Sequence, residues 1–90
     1  MALSVVLHRV DDYDTWRKVY EEAEPMQKAA GVLEDSVYRM TDDRNHVLVL
    51  HRFATSDEAE AFLSSDELRA AMGRAGVQPD TVRIELFEEA

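Results

Sequence analysis

The run V-L-V-L-H-R-F at Val47–Phe53 passes directly into A-T-S-D-E-A-E-A-F-L-S-S-D-E-L-R-A-A-M at Ala54–Met72. The first part is apolar and β-branched, the signature of a strand. In the second part Thr55 precedes Glu58 by three residues and Ser64 precedes Glu67 by the same spacing, which is that of a capping box at a helix start. Between the boxes Ala59, Phe62 and Leu63 form an apolar stripe, and after the second box Leu68, Ala71, Met72 and Ala75 form another. A strand therefore leads into an amphipathic helix that bends or splits at Ser64-Ser65. The theme occurs earlier too, as S-V-V-L-H-R-V at 4–10 followed by D-Y-D-T-W-R-K-V-Y at 12–20.

Working outward, the first helix starts near Asp12 to Asp14, either of which can cap it. Trp16, Val19, Tyr20, Ala23 and Ala30 make its buried stripe, with Met26 beside them. Pro25 lacks a backbone donor and should interrupt this helix, and Gly31 should end it. Glu34–Met40 reads as the second strand, T-D-D-R-N as a hairpin loop, and His46–Phe53 as the third strand. Gly76 stops the second helix, Pro79 prevents its return, and Thr81–Phe87 reads as the last strand. The order β-α-β-β-α-β is the ferredoxin-like α+β arrangement, an antiparallel sheet with both helices on one face. Right-handed crossovers place the first and third strands in its centre.

Both of those strands are apolar on two faces: Val5 and Leu7 against Val6 and Val10, Val47 and Val49 against Leu48 and Leu50. The helices cover one face only. The other calls for a second cover, most simply the sheet of a twin subunit. A homodimer is therefore expected, all the more because a chain of 90 residues forms a single domain, 1–90, that buries only about 60% of its unfolded surface.

Composition narrows the function. Nineteen acids against ten bases leave a net charge of −9, and the bases are scattered, which argues against nucleic acid and against an anionic membrane surface. No cysteine is present, so disulfides, thiolate nucleophiles and cysteine-ligated zinc are excluded. No apolar run approaches the roughly 18 residues of a membrane span, and the N-terminus lacks the basic region of a signal peptide. A cytoplasmic location is expected. With three glycines and no serine elbow, neither a dinucleotide cradle nor an α/β-hydrolase nucleophile is available.

The segments H-R-V-D-D-Y-D-T-W-R-K-V-Y at 8–20, A-A-G-V at 29–32, V-Y-R at 37–39 and Phe53–Met72, with A-G-V at 75–77, resemble the dimeric α+β barrel superfamily. The similarity is to its small antibiotic-biosynthesis-monooxygenase-like and cyclase-like proteins. It implies two sheets forming a central barrel, and a pocket in each subunit between sheet and helices. Members include cofactor-independent oxygenases of aromatic polyketides, polyketide cyclases, haem degraders and muconolactone isomerase-like enzymes. The helix positions that carry Trp and His in the haem degraders are Phe62 and Met72 here, and their strand Asn is His8. The Tyr and His of the plant-type polyketide cyclase fall at Phe62 and Leu68. Neither pattern is kept, so haem is not implied.

Three histidines offer acid–base chemistry near neutral pH. His8 and His51 sit in strands expected to be neighbours, and a strand histidine on the helix side would point into the pocket; the more ordinary reading of each is a partly exposed or hydrogen-bonded structural side chain. His46 follows the turn. Three dispersed histidines do not make a metal site. Tyr38, on one face with Ser36 and Met40, and Arg52, inside a strand, are candidate partners for an oxyanion; Arg39 and Arg52 read equally as partners of acids. Trp16, Tyr20, Phe62, Leu63 and Met72 are candidate pocket walls. The expectation is thus a small monooxygenase-like or cyclase-like enzyme without a bound cofactor, acting on an apolar, ring-bearing molecule with His8 or, second, His51 as base. The alternative is a non-catalytic module for a small hydrophobic ligand or for dimerisation.

Overall fold

A computed structural model describes residues 1–90. The strands are β1 (Ala2–Arg9), β2 (Glu34–Met40), β3 (Asp43–Phe53) and β4 (Arg83–Glu88); the helices are α1 (Tyr13–Glu22), α2 (Glu24–Ala29), α3 (Ser56–Leu63) and α4 (Asp66–Arg74). All pairings are antiparallel and the strand order is β2-β3-β1-β4. This is the ferredoxin-like α+β sheet, with β1 and β3 at its centre. No helix is long and apolar enough to cross a membrane.

Each helix expected from the sequence is broken once. Pro25 cannot continue α1, which ends at Glu22; α2 takes the proline into its own first turn, where a missing N–H costs nothing. Asp12 caps α1 by accepting the Thr15 N–H at 3.0 Å, and these bonds hold its carboxyl below the usual carboxylate range. Thr55 caps α3 by accepting the Glu58 N–H at 3.2 Å, and its hydroxyl donates to the Glu58 carboxylate at 3.2 Å. The cap of α4 lies one residue beyond the expected Ser64. Ser65 Oγ accepts the Leu68 N–H at 3.2 Å, whereas the Ser64 hydroxyl donates back to the Glu60 carbonyl at 2.9 Å. Ser64 belongs to the last turn of α3, and the backbone becomes extended only at Ser65.

Two other boundaries move for visible reasons. Only Thr41 and Asp42 turn the hairpin. Asp43 to Asn45 join β3, because the Asp43 carboxylate pairs with Arg9 and the Asn45 carbonyl accepts the Val10 N–H. Pro79–Thr81 forms a short 3-10 turn that delays β4 to Arg83. Gly31 and Gly76 end their helices at φ of 104° and 75°. A Cβ at Gly31 would stand 2.7 Å from the Glu58 carboxylate.

The cross-strand pairs Val6↔Val49, His8↔Val47 and Ser4↔His51 set one side of the sheet under the helices. There Val47 and Phe53 are wholly buried. The opposite side carries Leu3, Val5, Leu7, Leu48 and Leu50, half-buried, and Tyr38, Met40 and Phe87, which are 45–57% exposed. The apolar two-facedness expected of the central strands is therefore present, with nothing from the chain itself over the second face.

Substituting Ser65→Ala should lower unfolding free energy by about 1 kcal/mol through loss of a cap. Ser64→Ala should stay within about 0.5 kcal/mol, as for an ordinary surface change. Urea denaturation of both variants checks this, and the reverse order would place the cap at Ser64.

Candidate active site

A strand exposes alternate residues to one side, so the register decides which polar side chains reach the helices. On β1 these are Ser4 and His8, and on β3 His51, all buried. On β2 the residue paired with His51 is Asp35. Between this side of the sheet and the helices lies a cavity of about 540 Å³, within the size range of small-molecule sites. Trp16 and Tyr20 of α1, Gln27 of α2, and Phe62, Leu63 and Met72 of the second helical segment wall it, with His8 and His51 on its floor. All five expected pocket residues and both strand histidines are therefore gathered around one space.

Tyr38 and Arg52, expected as oxyanion partners, are not among them. The pairs Tyr38↔Leu48 and Glu34↔Arg52 place both on the opposite side of the sheet. Arg52 lies 3.8 Å from the Glu34 carboxylate there. Alternation alone forces this, since His51 and Arg52 are adjacent in sequence and must point to opposite sides. Arg39 does share the helix side, but its guanidinium lies over the Tyr13 ring, 4.2 Å from the centroid. His46 is on the far side, opposite Arg9.

The aromatic side chains form a connected wall. Trp16 stacks on Tyr20 with centroids 4.9 Å apart, and Tyr20 lies nearly parallel to the His51 ring at 6.0 Å. Phe62 meets His51 edge-on at 5.6 Å, and Trp16 meets His8 at 5.9 Å. The Tyr20 hydroxyl donates to Asp35 Oδ2 at 2.7 Å. It also stands 2.8 Å from His51 Nε2. A phenol has one proton to give, and the ionised carboxylate can only accept. His51 Nε2 must therefore carry the proton in the second bond, donating to the phenol oxygen. That leaves Nδ1 as the unprotonated nitrogen of a neutral ring. Only Ser4 Oγ and His8 Nδ1 are sealed from solvent without a partner.

Electrostatics follow burial. Desolvation lowers the pKa of His8; its own backbone opposes this, and His46 adds to the lowering. Desolvation also lowers His51, with the Asp35 charge opposing. The Tyr20 phenol is pushed far above its ordinary value, first by burial and then by its bond to Asp35; the nearby Gln27 amide works weakly the other way. At neutral pH the cavity thus holds two neutral imidazoles and a neutral phenol. Arg69 is the charged side chain at its rim, with Asp66 as partner at 3.1 Å. No group of three or more His, Cys, Asp or Glu is gathered as a metal cluster.

Sequence reasoning missed Gln27 and Asp35. Gln27 follows Tyr20 and Ala23 on the helix stripe, and a polar residue on an apolar stripe was a usable signal. Asp35 left no such trace, because its role depends on pairing with His51.

Residues 3–74 match the family model for antibiotic biosynthesis monooxygenases. The chain belongs to that family. Among solved structures of similar fold is SnoaB, a cofactor-independent oxygenase from Streptomyces nogalater. It superposes with a TM-score of 0.80 at 13% identity, over 99% of this chain and 92% of that one. A candidate antibiotic biosynthesis monooxygenase from Caulobacter crescentus CB15 gives 0.75 at 21% identity, over 99% and 89%. One from Bordetella bronchiseptica gives 0.79 at 10% identity, over 99% and 96%. At these identities the likeness is one of fold. No curated protein matches the chain. As a member of the antibiotic biosynthesis monooxygenase family the chain shares the ferredoxin-like sheet, while its arrangement of His51, Tyr20 and Asp35 is read from its own residues.

Two histidines kept neutral by burial make stability depend on pH. Their folded pKa values lie below the unfolded value of about 6.5. The unfolded state therefore binds protons first, and stability must fall as pH drops below about 6.5, by up to about 1.4 kcal/mol per pH unit for each histidine. Urea titrations between about pH 7.5 and 5 should show this slope, and a flat profile would mean the imidazoles are not buried neutral.

Proposed function

We propose that this chain is a cofactor-independent monooxygenase acting on an apolar, ring-bearing, polyketide-like molecule bound between sheet and helices. What carries the reading is the cavity itself: about 540 Å³, walled by Trp16, Tyr20, Phe62, Leu63 and Met72, with two neutral imidazoles as its floor. Membership of the antibiotic biosynthesis monooxygenase family and the fold shared with a cofactor-independent oxygenase support the same class of chemistry.

A buried imidazole removes a proton from an acidic ring carbon or phenol, the ordinary work of a histidine base. The delocalised carbanion passes one electron to O2, the radical pair joins as a hydroperoxide, and loss of water leaves a carbonyl. A ring methylene and O2 become a ring carbonyl and water, so one oxygen atom enters the product and the other leaves as water. The electrons come from the substrate, which is why neither metal nor flavin is needed. An enolate formed by the same base could instead close a ring by intramolecular aldol addition, the cyclase form of the activity. The oxyanion role first given to Tyr38 and Arg52 falls to groups that line the cavity, the N–H newly formed on the imidazole and the Gln27 amide.

Geometry limits the ligand. His51 pairs with Ser4, and His8 lies four residues farther along β1. At about 3.3 Å per residue the strand positions that carry the two imidazoles are roughly 13 Å apart. In this reading they serve opposite ends of an elongated molecule.

A second copy of the chain covers the free side of the sheet in this reading. The support is the contiguous apolar face formed by Leu3, Val5, Leu7, Leu48 and Leu50 with the exposed Tyr38, Met40 and Phe87, the kind of surface that marks an interaction site.

Oxygen uptake with anthrone-type and phenolic polycyclic ligands tests the activity. A base substitution is expected to reduce turnover by about 100-fold or more, in His51→Ala or in His8→Ala, with ligand binding retained. Turnover unchanged in both variants would remove the imidazole mechanism. Binding without any turnover would make the protein a ligand-binding module. Light scattering should give the mass of a dimer, and Leu50→Glu should give a monomer; a monomeric parent chain would remove the twin-subunit cover.

A further inference from the structure

We propose that Tyr20 and Asp35 are positioning residues that hold His51 as its Nε2–H tautomer and connect it to the surface, so that His51 Nδ1 is the base of the cavity. This rests on the reading of the cavity as a catalytic site and decides between its two histidines.

The geometry points this way on three counts. Tyr20 Oη is within hydrogen-bond reach of both partners, 2.8 Å from His51 Nε2 and 2.7 Å from Asp35 Oδ2. Burial falls along the same line: His51 is 4% exposed, Tyr20 is half-buried and Asp35 is exposed. The three side chains come from three elements, β3, α1 and β2, so their meeting is a tertiary arrangement and not a local contact. Asp35 stands beside His51 by strand pairing, yet its carboxylate bonds to the phenol. The phenol is thereby the link between imidazole and carboxylate.

His8 has no such link. Its Nδ1 is sealed without a partner, and its ring contacts Trp16. A proton taken up by His8 would stay in a desolvated ring, whereas a proton taken up by His51 has a route out. The step balances simply. The ligand gives a proton to Nδ1, the Nε2 proton passes to the phenol oxygen, and the phenol proton passes to Asp35, which returns it to water. Reversing the same steps supplies the proton needed when the hydroperoxide loses water. Each group ends the cycle as it began.

The charged and titratable groups facing this chain are few. On α1, the Arg17 guanidinium lies 5.4 Å from the Tyr20 ring centroid. On α2, Lys28 senses the Asp35 charge and is paired with Glu24 at 2.8 Å. On β2 there is Asp35 itself; α3 offers the Phe62 ring, and β1 the uncharged Ser4 opposite His51. Asp35 is the charge that acts on His51.

Nitrogen NMR of the labelled full-length chain reads the test without any substrate, since it reports which ring nitrogen carries the proton. The parent chain should show His51 as the Nε2–H form. In Asp35→Ala the phenol loses its acceptor and turns its proton to Nε2, so His51 should switch to the Nδ1–H form. In Asp35→Asn the side-chain carbonyl still accepts from the phenol, so the tautomer should hold while the His51 titration midpoint moves to lower pH. Asp35 is on the surface, and unchanged backbone spectra establish that both variants fold. A parent chain in the Nδ1–H form, or an Asp35→Ala variant that keeps Nε2–H, overturns the proposal. If the switch occurs but no ligand supports oxygen uptake, the relay stands and the enzymatic reading falls. If uptake depends on His51 but no switch occurs, the relay alone falls.

Discussion

The register of β1 against β3 is the constraint on which the rest of this molecule depends. It pairs Ser4 with His51, Val6 with Val49 and His8 with Val47, so both imidazoles and the valine floor of the cavity face the helices together. Side chains on a strand alternate with a period of two, and a slip of one residue would exchange the whole set. If β3 slipped, the cavity side would present Leu48, Leu50 and Arg52, and His51 would face away. The apolar helices enforce the observed choice, because Trp16 and Phe62 bury against the sheet and would meet an arginine otherwise.

That register carries a cost. Burying an imidazole, a hydroxyl or an amide in a dry space is unfavourable unless each finds a partner. His51 finds Tyr20, and Tyr20 finds Asp35. Ser4 Oγ and His8 Nδ1 find none. Unpartnered buried polar atoms are uncommon in a core packed for stability alone, and one of these two belongs to a residue that lines the cavity, His8. The same low dielectric that makes them costly also keeps the rings neutral at physiological pH, as a base requires.

The breaks in the helices serve this space. The first helix is interrupted before Pro25, and α2 carries Gln27, buried and close to the Tyr20 hydroxyl. The break between α3 and α4 does similar work on the other wall. Phe62 closes α3 against His51, while Leu68 and Met72 of α4 extend the apolar lining. Short helical pieces, three of them with side-chain caps at Asp12, Thr55 and Ser65, thus share the walling of the space between sheet and helices.

Local signals in the sequence were enough for the architecture. Alternating β-branched runs, the Thr55–Glu58 box, Pro25, and the two glycines that end the helices each act within a few residues, so element order and strand pairing were legible, and the second capping serine was off by one only because the end of α3 claimed Ser64. The pocket walls were legible as well, since Trp16, Tyr20, Phe62, Leu63 and Met72 lie on helix stripes that must face the sheet. What the sequence left open was the side taken by each strand residue and the identity of its partners across strands. Tyr38 and Arg52 were plausible beside the histidines in a linear reading, and the alternation of β2 and β3 turned them away. Asp35 gave no local sign of importance. Its place beside His51 and Tyr20 joins residues far apart in the chain, which no local propensity encodes and only strand register with helix docking decides.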